Sequence, residues 1–150
     1  MKTILVALDS SPRAQAVLDA GIASAVAYNA KLILFRAVGI PPEMPAAIWK
    51  TDAPSLMVIL RDAAQKELEA YAAKVPAKVR AEHLVTIEIG TPWQGICSAI
   101  EKEKADLVVI GSHGYGLLER MVGTTASKVV NNATCSVLVV RSADPDPKRT

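Results

Sequence analysis

The run Ile4-Leu5-Val6-Ala7-Leu8 near the start of the chain is an unbroken series of apolar residues. A strand with one face in water alternates apolar and polar residues, whereas a continuous apolar run is typical of a strand buried on both faces. Similar runs of Val, Ile and Leu recur along the chain, and the run at 83–89 alternates more, which predicts an edge strand. The further runs lie at 32–38, 83–89, 106–110 and 136–140.

Helical patterns separate these five runs. Apolar residues recur at intervals of three and four within 14–26, 56–71, 96–100 and 126–133, which is the spacing of one helical face. Ser11 and Pro12 predict an N-cap and a first helical residue, and Thr91-Pro92-Trp93-Gln94 predicts a capping box. The proline-rich segment 39–54 is expected to be a long loop.

The alternating order of strands and helices predicts an α/β fold. We expect a single open five-stranded parallel sheet with right-handed crossovers and helices on both faces. One domain over residues 1–141 and a disordered tail over 142–150 are expected, because the tail combines prolines with charged residues.

Composition excludes several classes of protein. Lys and Arg exceed Asp and Glu by 17 to 15, an excess too small to predict a nucleic-acid or anionic-membrane surface. No apolar stretch is long enough to cross a bilayer, and the start of the chain lacks a signal-peptide pattern. We therefore expect a cytoplasmic protein. Cys97 and Cys135 have no metal-ligand spacing and are expected to be buried thiols, with a disulfide as the alternative.

Three segments follow strands or precede a helix where open α/β sheets bind their ligands. Asp9, after the first strand, could accept hydrogen bonds from ribose hydroxyls, or it could cap the next helix. Gly111-Ser112-His113-Gly114, after the fourth strand, could form an anion-binding turn of backbone N–H groups, or a plain turn. Gly123-Thr124-Thr125 could bind phosphate at a helix start, or supply an ordinary threonine N-cap.

These segments together resemble the universal stress protein family, in its ATP-binding branch. The similarity is carried by 108–114, 123–125 and 137–141, and by the opening stretch 4–12. That branch carries the pattern G-x2-G-x9-G-[ST]. Gly111, Gly114, Gly123 and Thr124 match it here, with eight residues between the second and third glycines, which we interpret as a one-residue shortening of the connecting loop.

The resemblance implies an adenine-nucleotide-hydrolase-like, Rossmann-like fold and a place for each part of ATP. Asp9 would hold the ribose, and Mg²⁺ would bridge phosphate oxygens with few protein ligands. The residues that would line adenine and ribose are Ala7, Leu8, Asp9, Ala37, Val38, Ile110 and Gly111. Those that would bind the phosphates are His113, Gly114, Gly123, Thr124 and Thr125.

The family resemblance implies a nucleotide-dependent regulatory module of the stress response, acting on a protein partner that the sequence does not identify. Two alternatives stay open: a slow ATP hydrolase in which His113 orients water, and a nucleotide-free interaction protein. Because the apolar run 137–140 is expected to be an edge strand, it invites pairing, and the resemblance implies a homodimer through this strand.

Overall fold

The computed structural model describes residues 1–40, 53–89, 91–112 and 124–141. Five strands form one sheet in the order β3-β2-β1-β4-β5, and every pair of neighbours is parallel. This confirms the predicted fold class, and it confirms that the third and last strands are the edges. The strands are β1 Thr3–Ala7, β2 Lys31–Ile40, β3 Ala81–Ile89, β4 Leu107–Gly111 and β5 Ser136–Val140.

Four helices cover the two faces of this sheet. The first two helices pack on one face and the last two on the other. Each strand contributes side chains to both faces, because consecutive strand residues point to opposite sides of the sheet. The helices are α1 Ala14–Tyr28, α2 Ala53–Ala72, α3 Pro92–Glu103 and α4 Thr124–Asn132. The predicted loop 39–54 is shorter than expected, since Gly39 and Ile40 belong to β2 and Pro54 to α2; positions 41–52 lie outside the described residues.

The core consists of two layers, one on each face of the sheet. In β1 the residues Ile4, Leu5 and Val6 are all fully buried, which is the burial on both faces that the continuous apolar run predicts. The first core layer, beneath α1 and α2, includes Ile4, Val6, Val17, Leu18, Leu32, Leu34, Leu68 and Val109. The second core layer, beneath α3 and α4, includes Leu5, Ile33, Phe35, Ile96, Ile100, Val108, Ile110 and Val129.

Helix α1 lies very close to β1 at Gly21. A Cβ placed on Gly21 would lie 2.4 Å from Cγ2 of Val6, a separation that no packed side chain keeps. The absence of a side chain at this position therefore sets the distance between α1 and the sheet. It also fixes where the amino end of α1 reaches the carboxyl edge of β1.

Both predicted helix starts differ from the structure in detail. The N-cap of α1 is Arg13 and not Ser11, because the Ser11 carbonyl accepts the N–H of Ala14 at 3.1 Å and closes a single tighter turn first. Thr91 is the N-cap of α3, as predicted, but its side chain makes no cap hydrogen bond. The predicted capping box is therefore absent, and the Thr91 carbonyl accepts the N–H of Gln94 instead, at 3.2 Å.

The two cysteines are free thiols, as predicted, and not a disulfide, but they are half-buried where buried thiols were expected. Burial raises the pKa of the Cys97 thiol, and the nearby Glu101 carboxylate adds to this. Burial also raises the pKa of the Cys135 thiol. Within the described residues, no helix combines the length and apolar character that crossing a bilayer requires.

Candidate functional site

The candidate site lies at the carboxyl edge of the sheet, where β1 and β4 are neighbours. β2 and β3 lie on one side of β1, and the chain then crosses over so that β4 and β5 lie on its other side. The strand order thus reverses between β1 and β4, and ligands of open α/β sheets bind at such a reversal. Ala7 and Asp9 therefore come close to Ile110 and Gly111, although about a hundred residues separate them in sequence.

Asp9 is half-buried just beyond the end of β1. Its Oδ1 accepts the backbone N–H of Ser11 at 2.9 Å. The carboxylate thus caps the tight turn before α1 and not the helix itself, which begins later at Ala14. This hydrogen bond orients an acceptor at the edge of the sheet where a ribose would lie.

Arg13 brings a positive charge to the same edge, and sequence reasoning missed it. Its Nη1 donates a hydrogen bond to the backbone carbonyl of Ser112 at 3.3 Å. Ser112 is itself buried, and its N–H bonds to the Val140 carbonyl at 3.0 Å. The guanidinium is therefore fixed against the segment that leads into the glycine-rich stretch. The only signal in the sequence was a cation next to the predicted helix start.

Gly111 ends β4 in a tight position. A Cβ on this residue would lie 3.2 Å from Cγ2 of Val17, so α1 passes close to the end of the strand. Gly111 pairs with Val140 on the other side. A Cβ here would require the Val17 side chain to shift by a few tenths of an ångström, which favours glycine at this position apart from any ligand.

The side chains of Ala7, Ala37 and Ile110 belong to the second core layer. These three residues lie in the carboxyl halves of β1, β2 and β4, in that order, so together they form an apolar wall on one face of the sheet near its carboxyl edge. Leu8 differs, because its side chain is buried in the first core layer while its N–H bonds to the Phe35 carbonyl at 2.9 Å. Val38 is half-buried one residue beyond Ala37.

The start of α4 lies at the same edge of the sheet. The helix leads into Ser136, which is paired with Leu107 at the amino end of β4, so the opposite end of the helix must lie towards the carboxyl edge. Thr124 and Thr125 form its first turn, and Thr125 is half-buried. Helix starts expose N–H donors and carry partial positive charge, which favours phosphate. His113, Gly114 and Gly123 lie outside the described residues.

Helix α4 is held against α3 by a contact between Lys128 and Trp93. The ammonium of Lys128 lies 5.7 Å from the centre of the indole ring, and Trp93 packs on the second core layer. The contact orients the two helices that flank the apolar wall.

The described part of the chain holds no group of three or more His, Cys, Asp or Glu side chains that could bind a metal ion. Mg²⁺ on a nucleotide would need only phosphate oxygens and water. The recess lined by Ala7, Asp9, Arg13 and Gly111 holds about 10 Å³, which is room for about one water molecule, so these four residues alone do not enclose a nucleotide.

Comparison with known proteins identifies the family. The sequence profile of the universal stress protein family matches residues 1–141. A universal stress protein A homologue of Coxiella burnetii is 30% identical over 141 residues, covering 93% of this chain and 95% of its own. A universal stress protein of Thermus aquaticus is 33% identical over 147 residues, covering 93% and 98%.

A solved structure agrees with these relatives. A universal stress protein in complex with cAMP is 27% identical and superposes with a TM-score of 0.63, covering 95% of this chain and 98% of its own. The parallel sheet, the position of the candidate site and these matches lead to one conclusion: the chain belongs to the universal stress protein family.

Proposed function

We propose that this protein binds ATP at the carboxyl edge of its sheet and acts as a nucleotide-dependent regulatory module in the stress response. The observation that carries the proposal is the convergence of an acceptor, a cation and an apolar wall where β1 meets β4. Asp9, Arg13 and the side chains of Ala7, Ala37 and Ile110 provide these three features.

Each part of the nucleotide finds suitable chemistry in this arrangement. Adenine is flat and apolar on its faces, so the wall of Ala7, Ala37 and Ile110 suits it, with the backbone of Leu8 and Val38 beside it. Asp9 accepts hydrogen bonds from the ribose hydroxyls. Ile110 and Gly111 would line the nucleoside. As the family resemblance implies, His113, Gly114, Gly123, Thr124 and Thr125 would bind the phosphates, and bound Mg²⁺ would offset part of their charge.

The bound cAMP of the related universal stress protein supports an adenine nucleotide as the ligand class. The glycine and hydroxyl pattern supports a longer phosphate chain, because helix starts and glycine turns bind phosphates through several N–H donors. Ligand binding would change the surface that a protein partner contacts.

We also propose a cytoplasmic homodimer that forms through β5. This strand is an edge of the sheet, and the Leu138 side chain in its middle is 39% exposed. An exposed apolar edge strand favours pairing with another strand.

A binding experiment on the full chain tests the nucleotide proposal. Titration calorimetry with MgATP should give saturable binding that Asp9→Ala weakens by about tenfold, since a ribose hydrogen bond to a charged acceptor contributes about 1.5 kcal/mol. The matched control is Asp62→Ala, at an exposed position on α2, which should bind like the parent protein. Undetectable binding at millimolar ATP would favour the nucleotide-free alternative.

Turnover separates regulation from hydrolysis. A regulatory module should hold ATP intact over the time of a native mass spectrum. Steady release of phosphate that His113→Ala abolishes, with ATP binding retained, would instead favour the hydrolase.

A further inference from the structure

A second recess opens at the opposite, amino-terminal edge of the sheet, where β1, β2 and β3 begin. Its volume is about 440 Å³, which falls within the range of small-molecule sites. We call it the basic recess. Its lining residues are Lys2, Ala25, Val26, Asn29, Ala30, Lys31, Lys78, Val79 and Arg80.

The basic recess carries an excess of positive charge. Four of its lining side chains are cationic and none is acidic. Two carboxylates outside the lining interact with these cations: Glu82 pairs with Lys31 at 2.6 Å and with Arg80 at 3.2 Å, and Asp106 interacts with Lys2. Subtracting these two carboxylates from the four cations leaves two excess positive charges at the recess. The whole chain has a formal net charge of the same size, +2.

The backbone holds three of these cationic residues in fixed relative positions. The N–H of Lys31 bonds to the Lys2 carbonyl at 2.9 Å, and the N–H of Leu32 bonds to the Arg80 carbonyl at 2.8 Å. Asn29, in the left-handed conformation with φ 48°, turns the chain from α1 directly into β2. The cations thus arise from three separate segments tied by sheet hydrogen bonds, and not from one mobile stretch.

The carboxyl end of α1 repels an anion in the basic recess only weakly. A helix carboxyl end carries about half a negative charge. Two of its last carbonyls, those of Ala25 and Val26, already accept N–H groups from Ala30 and Asn29. The net charge at the recess stays positive because the two excess positive charges outweigh this partial charge.

We propose that the basic recess binds a small polyanion that carries a chain of two or more phosphate groups. Two excess positive charges in a volume of this size match a multiply charged phosphate chain better than a single monoanion. The site is independent of the proposed ATP site, since it lies at the other end of the same strands. The shared chemistry is the phosphate chain, whether it is free or part of a nucleotide.

Calorimetry with inorganic triphosphate and the full chain tests this proposal. Lys78→Glu should weaken binding by about tenfold, because it reverses one charge at the recess. Lys66→Glu is the matched control: it makes the same change in total charge at an exposed position on α2 and should alter binding by less than about twofold. Equal losses in the two variants would overturn the proposal. Lys78→Ala, with an intermediate loss expected, serves if charge reversal prevents folding.

Amide NMR locates the bound ion. Triphosphate should shift the backbone signals of Asn29, Ala30, Lys31 and Val79, and shifts confined to Gly111 and α4 would assign the binding to the other edge and contradict the proposal. The same NMR experiment is repeated with guanosine triphosphate as a second probe. Shifts at the recess with both probes indicate that any phosphate chain binds, and shifts with inorganic triphosphate alone indicate a free oligophosphate. Shifts with the nucleotide alone would show that the base drives binding, against the proposal.

Discussion

The guanidinium of Arg13, at the start of α1, donates a hydrogen bond to the Ser112 carbonyl, 99 residues later in the chain, at 3.3 Å. This contact joins the turn after β1 to the segment after β4, the two segments between which the proposed nucleotide would bind. It also places a cation beside Ser112, at the end of the described segment after β4. Arg13 therefore both positions the edge and adds charge to it.

Replacing Arg13 should weaken ATP binding. Arg13→Ala removes the charge and the hydrogen bond, and we expect the dissociation constant measured by calorimetry to rise about tenfold, or about 1.4 kcal/mol. Arg13→Lys keeps the positive charge but loses the planar guanidinium with its several donors, so its ATP affinity should lie between those of the parent protein and Arg13→Ala. Arg61→Ala, at an exposed position on α2, is the control and should bind normally. Parent-like affinity in Arg13→Ala would remove this residue from the site.

The pH dependence of stability should show that the ionised Asp106 carboxylate stabilises the folded protein. Its Oδ2 accepts the N–H groups of Lys2 and Thr3 at 2.6 and 2.9 Å, and these two bonds are the main cause that lowers the pKa of Asp106. A lowered folded-state pKa means that the stabilisation is present above the ordinary carboxylate pKa and is lost as the pH falls through the folded value.

Asp106→Asn should therefore lower the melting temperature at neutral pH, and the difference from the parent should shrink as the pH falls below the ordinary carboxylate range. Thermal melts followed by circular dichroism over a pH series measure this. Asp62→Asn makes the same charge change at an exposed site on α2 and should show little difference at any pH. A difference in melting temperature between the parent and Asp106→Asn that stays constant into strong acid would contradict this role of the Asp106 carboxylate.

The sequence predicted the sheet and its edges because burial on two faces leaves a continuous apolar pattern that is local in the chain. It placed Asp9 and Gly111 at one edge because each lies at the carboxyl end of a predicted strand, and the carboxyl ends of parallel strands meet at the same edge of a sheet. It could not predict the contact of Arg13 with Ser112, nor the bonds of Asp106 to Lys2, because each depends on register between distant segments. The start of α1 was misplaced since a turn and a helix use the same cap residues.

Gly21 should be intolerant of a side chain. Gly21→Ala improves helix propensity by about 1 kcal/mol, but its Cβ would lie 2.4 Å from Cγ2 of Val6, and overpacking a core costs about 1–3 kcal/mol. We expect a net loss of about 1 kcal/mol in the free energy of unfolding, measured by urea denaturation. The control is the Val6→Ala background, where the clash disappears and Gly21→Ala should cost less. Equal costs in both backgrounds would show that helix position does not depend on this contact.

The proposed dimer should depend on Leu138, whose side chain is 39% exposed on the edge strand β5. Burying one such side chain in an interface contributes about 2 kcal/mol, and a twofold interface buries two copies. Leu138→Lys should therefore shift the protein from dimer to monomer in sedimentation at micromolar concentration, because a charge on an edge strand opposes strand pairing. Val58→Lys is the matched control: Val58 is 58% exposed on α2, a helix that contacts β2 and β3 at the other end of the sheet, and its sedimentation should match the parent. A parent protein that sediments as a monomer, or a Leu138→Lys variant that stays dimeric, would exclude β5 as the interface.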